Sequence, residues 1–261
     1  MYGTKLLREL ESETGLSTGF KPCGSLTLAS NANRLTQLKI RAAKARSFGI
    51  ESELLTPFEA RELYPYLHID DLHAALWLPG DASAVSSDVT QALAKGARLH
   101  SNNGVRIVEN CRVNAISTSA GHHGPKRVTA VHTDLGDIAV DVVVNCAGLW
   151  ARRVGQMCGV SVPLASAEHF YIYTRPFQPT PVPSMLPILR DPDAYIYYRE
   201  WSGGLLMGGF EPTAKPAFAT AAGPPEDFSF SLLPEDWEHF EILMKGALHR
   251  TPCLADAQVS A

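Results

Sequence analysis

The ten residues Val142-Val143-Val144-Asn145-Cys146-Ala147-Gly148-Leu149-Trp150-Ala151 set the architecture expected for the whole chain. The run Asp141–Cys146 is apolar without alternation, which predicts a strand buried on both faces. Ala147-Gly148 ends it, and a helix carrying Arg152 and Val154 is expected to follow. Open α/β sheets bind nucleotides outside the carboxyl ends of their strands, where small residues let a ligand approach the backbone. The corner at Gly148 is therefore a candidate ligand site. A tight strand–helix turn that needs Gly148 only for packing is the alternative reading.

On the amino-terminal side, helices and strands alternate. Residues 2–14 place Leu6, Leu7 and Leu10 on one helical face, and Gly15 and Gly19 end the pattern. Gly24–Ala29 alternates as a strand. Asn33 can cap a helix from Arg34 to Phe48. Thr56-Pro57-Phe58-Glu59 combines a threonine cap, a proline at the first helical position and a capping-box glutamate. A strand is expected near Leu72–Leu78, then a helix from Ser86 with Val89, Ala92, Leu93 and Ala97 at helical spacing. Val105–Val108 is a further short strand. The pieces 112–117, 127–133 and 137–144 form a meander, with His122-His123 in one of its turns.

Composition narrows the class. Of 261 residues, 45% are hydrophobic and 19% charged, ordinary values for a globular chain. The net charge of −4, without a basic block, gives no electrostatic reason to bind nucleic acid or an anionic membrane. No apolar run approaches the roughly 18 residues of a membrane-spanning helix. The cysteines at 23, 111, 146, 158 and 253 are scattered and form no C-x-x-C pair, so they suggest neither a disulfide framework nor a zinc site. Walker A, G-x-G-x-x-G, H-E-x-x-H and G-x-S-x-G are absent.

The carboxyl-terminal half turns aromatic and strand-rich. In Glu168-His169-Phe170-Tyr171-Ile172-Tyr173 a strand puts His169, Tyr171 and Tyr173 on one face. In Tyr195-Ile196-Tyr197-Tyr198-Arg199 the residues Tyr195, Tyr197 and Arg199 share a face. Two such strands can wall an apolar pocket with a few polar groups; a core with satisfied tyrosine hydroxyls explains them equally well. Gly203–Gly209 reads as a third strand, and residues 211–225 as a loop. The last helix starts at Pro234-Glu235-Asp236, with Trp237, Phe240, Met244 and Leu248 on its face. Residues 251–261 close nothing, and the ends read like the middle of a larger protein.

The motifs Val143–Ala151 (VVNCAGLWA) and Glu168–Pro176 (EHFYIYTRP) resemble the D-amino-acid-oxidase-like flavoprotein superfamily, in its dimethylglycine and sarcosine dehydrogenase branch. Within the branch the chain is most similar to the regulatory-subunit group of pyruvate dehydrogenase phosphatase. The residues that favour that group are Val85–Val89, Glu168–Tyr171, Thr174–Pro176, Trp201–Gly204, Gly208–Glu211 and Pro234–Phe240. The dehydrogenases usually carry Asp-Pro where this chain has Val85-Ser86-Ser87.

The resemblance covers nearly the whole chain. It implies α/β plus α+β architecture: an incomplete Rossmann-like FAD-binding domain (1–15 and 85–160), an antiparallel-sheet substrate-type domain (16–84 and 161–250), and a truncated tail (251–261). It implies FAD as the family cofactor, with Arg112, Val113, Ala147, Gly148 and Trp150 beside it. His169, Tyr171 and Arg199 would form the substrate pocket. It also implies the phosphatase catalytic subunit as partner and the mitochondrial matrix as location. The family's glycine-rich turn, whose N–H groups hold the pyrophosphate, would precede Met1. The chain is therefore expected to bind FAD weakly or not at all by itself. With an incomplete parallel sheet, it is also expected to expose apolar surface.

Overall fold

A computed structural model describes residues 2–101, 104–119, 126–218 and 223–260. His122-His123 lies outside them. Two compact units emerge: Met1–Val105, His169–Pro212 and Glu235–Ala261 form the first, and Arg106–Glu168 with Thr213–Pro234 form the second.

In chain order the elements are α1 Tyr2–Thr14, β1 Ser25–Ala29, α2 Ala32–Ser47, β2 Glu53–Leu55, α3 Pro57–Leu63, β3 Ala74–Leu78 and α4 Ser86–Leu99. Then come β4 Val113–Ser119, β5 Arg127–Thr133, β6 Gly136–Ala139, α5 Ala151–Met157, β7 Ser166–Ala167 and β8 Tyr171–Thr174. The chain finishes with β9 Ile188–Asp191, β10 Ile196–Trp201, β11 Gly204–Gly209, β12 Pro216–Ala217, α6 Trp237–Arg250 and β13 Val259–Ser260.

The first unit is built on an eight-stranded sheet in the order β13-β8-β11-β10-β9-β1-β3-β2. Its pairings are antiparallel except β1 with β9. The expected mixed α/β and antiparallel architecture is present. β1 is an interior strand between β9 and β3, and every residue of it is buried. Leu26 and Leu28 enter the main core with Leu189, Tyr198 and Leu243, while Ala29 turns to Leu38 and Ala42 of α2.

Local chemistry places the helices. Thr56 Oγ1 accepts from the Glu59 amide and Glu59 Oε2 accepts from the Thr56 amide, so both halves of the capping box form at α3. These bonds hold the Glu59 carboxyl below its usual range. Such a cap contributes about 1 kcal/mol. The cap of α2 is Asn31, two residues before the expected Asn33. α1 packs on α4 where Gly96 has Leu10 and Thr14 as nearest neighbours.

The buried face of α6 is Phe240, Leu243, Ala247 and Arg250, rotated from the expected stripe. Trp237 and Leu248 are exposed instead. Gly209 lets Leu243 pack against β11, because a Cβ there would fall 2.5 Å from a Leu243 methyl.

Three further expectations are corrected. Val105–Val108 is not a strand, and Val105, Ile107 and Val108 are exposed. Asp141–Cys146 carries no ladder; Val142 is 75% and Val144 78% exposed. Apolar content favours a strand only where another strand supplies hydrogen bonds, and no described residue does so here. Residues 251–261 do close a surface. Thr251 and Leu254 are buried, and β13 adds an edge strand by pairing Val259 with Thr174 and Ser260 with Tyr173.

The contact units also divide the chain elsewhere than the domain boundaries read from the sequence. Residues 2–15 and 85–105 group with the large sheet, not with 106–160. α1 and α4 pack on each other, so these two stretches fall in one unit together. The second unit holds the β4-β5-β6 meander, α5 and the short β7·β12 pair.

Candidate functional site

One face of β8, β11 and β10 gathers aromatic side chains. Tyr171, Gly208 and Tyr197 are cross-strand neighbours, and Tyr173, Leu206 and Arg199 form the next row. Gly208 makes room for the first row, since a Cβ there would meet the Tyr197 hydroxyl at 2.6 Å. His169 precedes β8 and stacks on Tyr197, with centroids 5.8 Å apart and ring planes at 6°. Its Nε2 lies 2.8 Å from the Tyr197 hydroxyl. The hydroxyl can donate to that nitrogen or accept from it, so the bond suits either tautomer.

The row continues outward. Tyr171 meets Tyr173 at 5.4 Å and Tyr173 meets Trp201 at 5.3 Å. The Arg199 guanidinium lies 4.8 Å from the Trp201 ring centroid. Among the described residues Arg199 has no carboxylate partner. Partial desolvation among the rings pulls the His169 imidazole below its ordinary value, against the opposing pull of Glu211. Desolvation likewise pushes the Tyr197 phenol up, so its proton stays on at neutral pH.

His169, Tyr171 and Arg199 are thus brought to one sheet face. Tyr195 is not on it. That residue lies before β10 with φ of +62°, so strand alternation does not reach it. The sequence reading missed Phe210, whose ring is 4.8 Å from His169. Its signal was present: an aromatic residue directly after two glycines. Stacked rings, one hydroxyl pair and a free guanidinium suit a planar organic group or a small carboxylate.

The other expected site residues lie in the second unit. Arg112 and Arg153 both grip Glu226, each with one bond of 2.6 Å. The two guanidinium groups hold the Glu226 carboxyl down at about 2. Val113 opens β4 opposite Thr133. The Ala147 amide donates to Asn145 Oδ1 and the Trp150 amide to the Ala147 carbonyl. Gly148 has φ of +50°, a left-handed conformation that costs other residues roughly 1–2 kcal/mol. A Cβ there would meet nothing within 4 Å, so conformation and not close packing explains this glycine. Trp150 lines a cavity of about 190 Å³ with Arg152, Arg153, Ser166 and Phe218. Arg112, Val113, Ala147 and Gly148 do not line it.

A whole FAD does not fit this second unit. The cavity lies below the roughly 300–1,000 Å³ of pockets for drug-sized ligands. A pyrophosphate needs free backbone donors or uncommitted cations. At the Ala147–Trp150 turn the amides of Ala147 and Trp150 are already engaged, while the single Glu226 carboxylate offsets only one of the two charges of Arg112 and Arg153, so the misfit rests on the size of the cavity.

A sheet of this topology, bearing an aromatic and cationic face, is a flavoenzyme-type architecture. The chain belongs to the FAD dependent oxidoreductase (DAO) family, whose model matches residues 1–261. It is 40% identical over 260 residues to the mitochondrial pyruvate dehydrogenase phosphatase regulatory subunit of Mus musculus, covering 99% of this chain and 28% of that protein. It is 38% identical over 247 residues to mitochondrial sarcosine dehydrogenase of Mus musculus, covering 95% of this chain and 26% of that protein. The chain thus spans little more than a quarter of the length of these relatives. Among solved structures, L-proline dehydrogenase from P. horikoshii superposes with a TM-score of 0.81 at 22% identity, over 100% of this chain and 63% of that one. No described helix is long and apolar enough to cross a membrane.

Proposed function

We propose that this chain is part of a flavoprotein-like regulatory subunit of mitochondrial pyruvate dehydrogenase phosphatase, acting in the matrix on the phosphatase catalytic subunit. The observation that carries the proposal is the 40% identity to the mouse regulatory subunit along 99% of the chain. The second unit belongs to the FAD-binding part and the sheet of the first unit to the substrate-type part. Arg112, Val113, Ala147, Gly148 and Trp150 flank the cofactor position of the family, and His169, Tyr171 and Arg199 the substrate position. The misfit of a whole FAD supports weak or absent flavin binding by this chain.

A sarcosine- or dimethylglycine-type amine dehydrogenase fragment is the second reading. It is favoured by the aromatic face with its free Arg199, which suits an amino acid carboxylate. The two readings separate in one preparation. The chain is passed over immobilised phosphatase catalytic subunit, its visible spectrum is recorded after gel filtration, and sarcosine and dimethylglycine are offered with an electron acceptor. Retention without flavin absorbance or amine oxidation is expected. Stoichiometric flavin with amine oxidation, and no retention, overturns the regulatory reading.

A further inference from the structure

Away from the aromatic face, three metal-competent side chains meet at the carboxyl end of α6. His68 and Asp71 come from the segment between α3 and β3, and His249 from the last turn of α6. His249 Nε2 is 3.2 Å from Asp71 Oδ2, and His68 Nδ1 is 3.8 Å from Asp71 Oδ1. The two imidazole rings meet edge-on with centroids 4.8 Å apart. One donor atom from each residue lies within 4.8 Å of the other two.

Two observations point to a cation. His68 Nδ1 is buried and has no hydrogen-bond partner among the described residues. The other nitrogen of that ring, Nε2, is 3.5 Å from Asp70 Oδ2. A carboxylate beside Nε2 favours the proton on that nitrogen, which would leave the lone pair on Nδ1, the arrangement that orients metal-binding histidines. A buried acceptor without a donor costs free energy that a cation would recover.

Charge is the second observation. Asp71 and Asp191 share a single guanidinium, that of Arg250, which bonds Asp71 through Nη1 and Nη2 and Asp191 through Nε, while Asp70 stands beside His68 Nε2. With neutral imidazoles, three carboxylates against one guanidinium leave an excess of two negative charges. Each Asp71 oxygen keeps a second lone pair beside its bond to Arg250.

We propose that His68, Asp71 and His249 form a zinc site, completed by water, that clamps the α3–β3 connection to the end of α6. Tetrahedral zinc with bonds of about 2.0–2.2 Å sets its donors about 3.3 Å apart. The His249 Nε2–Asp71 Oδ2 pair already has this spacing, and with the three donors within 4.8 Å of one another no edge has to shorten by more than about 1.5 Å. Side chains 33–54% exposed can make that motion by rotamer adjustment. Two imidazoles with a carboxylate select zinc over magnesium or calcium, which prefer all-oxygen shells.

The test uses the untagged 261-residue chain, stripped with a chelator and titrated with Co²⁺ and then Zn²⁺. One Co²⁺ per chain is expected, with the visible bands of tetrahedral coordination, displaced by one Zn²⁺. His68→Gln and His249→Gln each abolish this stoichiometric uptake. Asp70→Asn weakens it roughly tenfold, and His73→Gln leaves it intact. In the wild-type chain, zinc shifts the imidazole proton resonances of His68 and His249, a readout that needs no variant to fold. No uptake at one equivalent, uptake that survives both histidine variants, or unmoved His68 and His249 resonances overturns the proposal.

Discussion

His169 and Tyr197 stack almost parallel at 5.8 Å, and the imidazole Nε2 rests 2.8 Å from the phenol oxygen. This pair joins the segment before β8 to β10 across the intervening strand β11. It makes the aromatic face one surface, not two separate ribbons.

The environment of the pair disfavours the imidazolium, so His169 titrates below its ordinary 6.5. In the window between that lower value and 6.5 the unfolded chain binds the proton and the folded chain does not. Stability therefore falls as pH drops through this window and is regained above it. NMR titration of the His169 ring is expected to show a midpoint below 6.5. A midpoint at or above 6.5 contradicts the desolvated geometry.

Gly208→Ala tests how closely the face is packed. The added methyl would stand 2.6 Å from the Tyr197 hydroxyl and 2.9 Å from the Phe170 carbonyl oxygen. Overpacking of this kind costs about 1–3 kcal/mol. Urea unfolding should register that loss, and the His169 midpoint should return toward 6.5 as Tyr197 is pushed aside. A variant as stable as the wild type, with an unshifted His169, would show the space to be larger than described.

Arg250→Ala addresses the buried network. Arg250 Nε lies 2.7 Å from Asp191, and both side chains are almost fully buried. Removing one member of such a pair strands the other and costs about 3–5 kcal/mol. Arg34→Ala is the comparison, because the Arg34–Asp193 pair at 2.9 Å is partly solvated. It should cost about 0–1 kcal/mol. Equal losses in the two variants would refute the burial argument.

The exposed run in the second unit carries a solubility prediction. Val142 and Val144 face solvent in a segment of high β-propensity without a ladder. Such segments associate edge to edge. Replacing both with lysine should lower light scattering at rising protein concentration. Unfolding free energy should stay within about 0.5 kcal/mol of wild type. Increased scattering, or a large loss of stability, would mean these valines are packed.

Much of this molecule is legible locally. The Thr56–Glu59 capping box, the break of α1 at Gly15 and the strand Gly204–Gly209 depend on residues a few positions apart, so their chemistry is complete in the sequence. Alternation put His169, Tyr171 and Arg199 on candidate faces for the same reason.

Pairing and packing are different. The hydrophobic run Asp141–Cys146 specifies a strand only if a neighbour completes its hydrogen bonds, and its amino acids hold no information about that neighbour. The tail 251–261 looks featureless until Thr174 and Tyr173 offer it an edge. Leu243 of α6 packs against Gly209, some thirty positions away in the chain, and His68 meets His249 only because α6 ends beside the α3–β3 connection. Propensity, capping and alternation act over a turn or two, and the amino acids alone determined those features. Register, burial and the meeting of distant side chains arise from long-range contacts, and only the folded chain decided them.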